Sequence, residues 1–121
     1  MSESGKSKTY DLEDRTFEFA KRVRAFVRKT RKDIPNIEDA KQVVRSSGSV
    51  GANYIEANEA LSKKDFFMRV KISRKEAKES RYWLRLICSR DDEWCEKERV
   101  ELAQEAQELT SIFGAIITKS Q

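Results

Sequence analysis

From Phe66 to Ile87 the chain reads FFMRVKISRKEAKESRYWLRLI, and its small or apolar residues Phe66, Val70, Ser73, Ala77, Ser80, Leu84 and Ile87 recur at alternating steps of four and three. That spacing gathers them on one side of an α-helix. It scatters them over both faces of a strand, where a face repeats every second residue. A helix with a single narrow apolar seam cannot bury that seam alone, so this segment requires companion helices.

Three further helices follow from the same spacing. The first is expected from about Asp11 to Thr30, with Leu12, Thr16, Phe19, Val23, Phe26 and Val27 inward and Phe17 off the face. The sequence TRKDIPNIED interrupts it: Pro35 disfavours helix at Ile34, and Asn36 is a good N-cap, with Glu38 and Asp39 placed for the helix dipole. The second helix is expected from Ile37 to about Leu61. The third opens at Ser62, where Ser-Lys-Lys-Asp resembles a capping box, and runs to about Arg90. The fourth is expected from about Asp92 to Lys119 along Cys95, Leu102, Ala106, Leu109, Phe113 and Ile116. Short connections force neighbours antiparallel. The 121 residues suit one domain, so the fold class is all-α: an antiparallel up-down-up-down four-helix bundle over residues 11–121, preceded by a flexible segment, residues 1–10.

Residues 45–57, RSSGSVGANYIEA, carry no charge between Arg45 and Glu56 in a chain that is 38% charged. A phosphate cradle is disfavoured, because no strand pattern precedes Gly48 and Gly51 and no P-loop lysine follows them. On a helix, Ala40, Val43, Val44, Ser47, Val50, Gly51, Tyr54, Ile55, Asn58 and Leu61 share one broad face, with Asn58 expected as a buried amide. Ser46, Asn53, Ala57 and Ala60 widen the neutral surface. Two helical glycines cost roughly 1 kcal/mol each relative to alanine, so close packing must offset them. A nearly charge-free helix is usually covered on two sides. One cover is its own bundle. A second copy of the chain is the expected other, with Ser46, Ser49, Val50, Asn53, Ala57 and Ala60 at a homo-oligomeric interface; a tight monomer with this helix deepest is the alternative.

Two motifs carry a resemblance. SSGSVGANYIEA contributes Ser46, Ser47, Ser49, Val50, Ala52, Asn53, Glu56 and Ala57, and KEAKESRYWL contributes Lys75, Glu76, Ala77, Glu79, Tyr82, Trp83 and Leu84. Together with RTFEFAKRV around Phe19 and Ala20 they resemble, over residues 15–118, the bacterial four-helix bundle proteins encoded in ribosomal RNA intervening sequences. The resemblance implies a bundle that assembles as a ring, commonly a pentamer. Related accessory variability proteins of retroelements present a basic surface to nucleic acid and to a reverse transcriptase. No enzymatic activity is attached to the family.

The remaining chemistry is mostly exclusion. With no histidine, Ser-His triads, HExxH zinc sites and the Glu-x-x-His of bundle di-metal sites are all ruled out, and no cofactor is expected. Cys88 and Cys95 form no CxxC pair and read as small core fillers. Glu76 is expected to pair with Arg69, and Trp83 to pack rather than bind. The net charge of +4 permits a polyanionic partner. The cations cluster at Lys21, Arg22, Arg24, Arg28, Lys29, Arg31 and Lys32 on the first helix, and at Lys71, Arg74, Lys75, Lys78 and Arg81 on the third. Acids concentrate on the fourth. Helices one and three, taken as adjacent, would then present basic faces to RNA or DNA phosphates without reading sequence. The expected protein is therefore a non-catalytic oligomeric bundle binding nucleic acid; the alternative is a scaffold recruiting a protein partner such as a nucleic-acid-processing enzyme. No apolar run spans a bilayer and no secretory signal is visible, so a cytoplasmic location is the expectation.

Overall fold

The computed structural model describes residues 8–89 and 92–120. Four helices account for nearly all of them: α1 (Lys8–Lys29), α2 (Ile34–Asn58), α3 (Lys63–Leu86) and α4 (Glu93–Ser120). Each packs on its sequence neighbours and α1 closes on α4, an antiparallel four-helix bundle in which α1 and α3 are diagonal. The expected all-α architecture is therefore the one observed. Residues 1–7 of the anticipated N-terminal segment lie outside the described residues, while Lys8, Thr9 and Tyr10 form the start of α1.

The seams read from spacing form the core. Val70, Ala77 and Leu84 on α3 meet Phe19, Val23 and Phe26 on α1, Val43 and Val50 on α2, and Leu102, Leu109 and Phe113 on α4, all essentially inaccessible to solvent. Phe17 stands outside, as its position off the stripe requires, with 61% of its surface exposed. The α3 seam keeps two serines because each finds a partner: Ser73 Oγ donates to Val50 O at 2.9 Å, and the Ser80 and Ser46 hydroxyls lie 2.8 Å apart. These bonds satisfy polar groups that would be costly to bury alone.

Helix boundaries differ from expectation at α2. The helix opens at Ile34 rather than Ile37, with Asp33 as N-cap accepting from Asn36 N at 3.0 Å. Pro35 sits in the first turn, where a helix has no use for its missing N–H. Asn36 is therefore not the cap but a buried clamp. Its Nδ2 donates to Arg31 O and Cys88 O, and its Oδ1 accepts from Cys88 N at 3.0 Å, tying the α1–α2 connection to the α3–α4 connection. At its far end α2 stops at Asn58, which leaves Leu61 fully exposed in the loop. Asn58 is exposed too, donating to Glu13 Oε2 at 2.7 Å, because the α2 core seam runs through Val43, Ser47, Val50, Tyr54 and Ala57 and turns Asn58 outward. Ser62 caps α3 as its sequence implies, accepting from Asp65 N at 3.0 Å.

The neutral stretch of α2 is explained from within the protomer. A Cβ added at Gly51 would lie 2.9 Å from Thr16 Oγ1 and 3.2 Å from Thr16 Cβ, so α1 passes close against this point. Ser46, Val50 and Ala57, expected at an interface between copies, are buried in the chain's own core. Ser49 and Asn53 are half-buried, with Asn53 Nδ2 donating to Ser49 O and Oγ, and Ala60 is half-buried in the loop after α2. Gly48 is different: its added Cβ would meet only the end of the Arg24 side chain, at 3.2 Å. Gly51→Ala should accordingly lower stability by about 1–3 kcal/mol despite its better helix propensity. Gly48→Ala should be neutral or gain up to about 1 kcal/mol. Urea denaturation of both variants checks the contrast, and equal effects would refute the close-approach account.

Candidate nucleic-acid interface

The acids of α4 decide which cations are free. Glu98, Glu101, Glu105 and Glu108 recur at helical spacing on the side of α4 that packs beside α1. Arg15 binds Glu105 through two nitrogens at 2.7 and 2.9 Å and reaches Glu108 at 2.9 Å. Arg22 grips Glu98 through two nitrogens at 3.1 Å and Glu101 at 3.2 Å. Each guanidinium is held further above its ordinary value, first by the hydrogen bond to Glu105 or Glu98; burial opposes this next, and the nearby negative charge then adds to the rise.

The rest of the α1 cluster is largely engaged as well. Arg24 donates to Ala20 O at 3.1 Å and Val44 O at 3.3 Å. Arg31 contacts Asp33 and the Cys88 sulfur. Lys32 Nζ caps the C-terminal carbonyls of Val27, Arg28 and Thr30, the last at 2.7 Å. Lys29 lies over the Trp94 ring at 4.7 Å and Lys21 over Phe17 at 5.7 Å. Arg28 projects into solvent. The α1 cations were expected almost without compensation beside those of α3. The structure corrects both points: Arg22 pairs with Glu98 and Glu101 and Arg31 with Asp33, Arg24 and Lys32 are held by backbone carbonyls, and the diagonal placement puts α1 and α3 on opposite sides.

α3 keeps its charge. Lys71, Arg74, Lys75, Lys78 and Arg85 are exposed and Arg81 is half-buried. Among the described residues the one ion pair in this set is Lys75 with Glu76 at 3.7 Å. Lys71, Arg74, Lys78 and Arg85 share one side of the helix by their three- and four-residue spacing, and span about 21 Å along it. Lys71 and Arg74 line a surface cleft of 450 Å³ with Gly114, Ile117 and Thr118 of α4, and the Arg74 guanidinium approaches a Cβ position on Gly114 to 3.3 Å. No carboxylate lines that cleft. Arg85 was left out of the expected site although it continues the spacing; Gly114 carried no signal except antiparallel register with α3.

The α2 side of α3 is neutralised by contrast. Glu76 is buried, and Arg45 of α2 reaches it at 3.5 Å and Glu79 at 3.2 Å. Arg69, the partner expected for Glu76, instead donates to Asn53 Oδ1 at 3.1 Å. Trp83 packs against the core as expected, but its indole Nε1 is buried with no hydrogen-bond acceptor among the described residues. Cys95 is buried, which raises its thiol pKa, whereas Cys88 is only half-buried.

Opposite the α3–α4 edge, α1 and α2 leave an uncovered apolar track. One cleft of 330 Å³ is floored by Ala20, Gly48, Gly51 and Ala52 and flanked by Phe17 and Ile55; a second, of 470 Å³, is lined by Val27, Ile37, Ala40 and Val44. No helix among the described residues is long and apolar enough to cross a membrane.

Fold and surface together define an antiparallel four-helix bundle with one strongly basic face. The chain matches the model of the 23S rRNA-intervening sequence protein family over residues 8–115, and it belongs to that family. It is also similar to a crystal structure of a protein of unknown function from the S23 ribosomal protein family of Bacteroides thetaiotaomicron. That likeness is 29% identity with a TM-score of 0.73, covering 88% of this chain and 97% of the other. No curated protein matches significantly.

Removing an unpartnered buried donor removes its desolvation cost. Trp83→Phe should therefore change stability by less than about 1 kcal/mol, whereas Trp83→Ala should cost about 3 kcal/mol or more. Thermal unfolding of the two variants checks this, and a large loss in Trp83→Phe would mean the indole N–H has an acceptor.

Proposed function

We propose that this chain is a non-catalytic bundle that binds RNA or DNA without sequence preference, through the α3 face of Lys71, Arg74, Lys78, Arg81 and Arg85. The observation that carries the reading is the partition of acids: the α4 glutamates pair with Arg15 and Arg22 on α1, while Lys71, Arg74, Lys78, Arg81 and Arg85 on α3 have no carboxylate partner among the described residues. Cations repeated along a rod at turn spacing suit a phosphate backbone, and they offer no bidentate device for reading base edges. The name of the family, with its reference to ribosomal RNA, is in keeping with a polyanionic partner.

Binding of a mixed-sequence RNA should weaken steeply with salt. Changing Lys71, Arg74, Lys78 and Arg85 together to Gln should lower affinity roughly tenfold or more and flatten the log–log salt slope by about 0.7–0.9 for each lost phosphate contact. Arg22→Gln should leave affinity nearly unchanged and act on stability instead. Electrophoretic shifts over a salt series measure both, and salt-independent or absent binding would reject the reading.

A second element concerns self-association. The track between α1 and α2 is largely apolar, crossed by the Arg24 side chain, and flanked by Phe17 and Ile55, which are 61% and 48% exposed. We take it, rather than Ser46, Val50 and Ala57, as the contact between copies in a homo-oligomer, with the pentameric ring of the resemblance as the favoured assembly. Phe17→Asp combined with Ile55→Asp should convert the assembly to a folded monomer by light scattering. A wild-type chain already monomeric at high concentration would remove this element and leave the track to a protein partner.

A further inference from the structure

We infer that Tyr82 is a base-stacking platform, and that the α3 face therefore takes single-stranded nucleic acid in preference to duplex; this rests on the nucleic-acid reading above and specifies its substrate class.

Tyr82 is 57% exposed, yet it lies within the basic face, one turn after Lys78 and just short of one turn before Arg85. Its ring is not loose. It makes a T-shaped contact with Trp83, centroids 5.0 Å apart and planes at 78°, and Trp83 is anchored on the core. Such a ring gives up little rotamer freedom when a ligand docks, so more of the contact energy appears as affinity.

Other outward aromatics among the described residues are covered in a way that Tyr82 is not. Lys21 lies over Phe17, Lys29 over Trp94, and Lys63 over Phe67 at 6.0 Å. No cation among the described residues covers the Tyr82 ring. Tyr82 thus offers a restrained, uncovered π-face beside Lys78 and Arg85, which have no carboxylate partner among the described residues. That is the combination by which proteins hold unpaired strands: a positive track for the backbone and an aromatic ring for a base. A duplex keeps its base faces stacked inside and presents only edges to a convex helix, so it gains from the lysines and arginines but not from the ring.

Fluorescence anisotropy with three labelled probes of about 12 nucleotides tests this: an unstructured pyrimidine single strand, an abasic strand of the same length, and a blunt duplex. Tyr82→Leu should weaken binding of the single strand about tenfold and shift the abasic strand and duplex by less than about twofold. Tyr82→Phe, which keeps the ring, should retain single-strand affinity and serves as the folding control. If Tyr82→Leu weakens all three probes alike, weakens none, or is matched by Tyr82→Phe, stacking is overturned while the basic-face reading stands. If the wild-type chain binds none of the probes, the basic-face reading falls and this inference with it.

Discussion

The bundle depends on how closely α2 is approached. Val50 O accepts from Ser73, Ser46 meets Ser80, and Gly51 leaves room for Thr16, so α2 is gripped by α3 on one side and touched by α1 on the other. A bulkier residue at any of these points would separate helices whose interior is filled to solid-like density. The neutral character of residues 46–55 is therefore first a packing requirement. Its effect on the outer surface, an apolar track beside Phe17 and Ile55, follows from the same small side chains.

Electrostatics is arranged around this frame by register rather than by composition. A net charge of +4 is modest, and evenly distributed it would make no binding face. Antiparallel packing instead sets the α4 glutamates against Arg15 and Arg22, and sets Arg45 against Glu76 and Glu79. Both sets of pairs take acids away from the outer side of α3. Exposed pairs of this kind add little to stability. Their larger consequence is where they leave the field uncompensated.

The seams and the fold class were legible because each buried position repeats with the helical period; Leu12 to Phe26, Val70 to Leu84 and Cys95 to Phe113 need no knowledge of neighbours. The cap at Ser62 was equally local. What a single chain could not reveal was which way a wide neutral face turns. Ser46 and Ala57 looked peripheral on a helical wheel, and Asn58 central, yet the actual seam is rotated toward α3. The fate of the cations was hidden for the same reason. Whether Arg22 is free depends on Glu98, which lies 76 positions away in sequence, and only diagonal packing separates α1 from α3. Pro35 misled in a smaller way: it marks a first helical turn as well as it marks a break.

Asn36 gives the molecule a mechanical polarity. One inaccessible amide holds the two connections that lie at the same end of the bundle, and among the described residues nothing comparable joins the other end, where the α2–α3 loop exposes Leu61. Thermal opening should therefore start at the Leu61 pole and travel toward the amide. Amide-proton exchange in the four helices should then be graded along the bundle axis, slowest near Val43 and Leu84 and fastest around Asn58, whichever helix a residue belongs to.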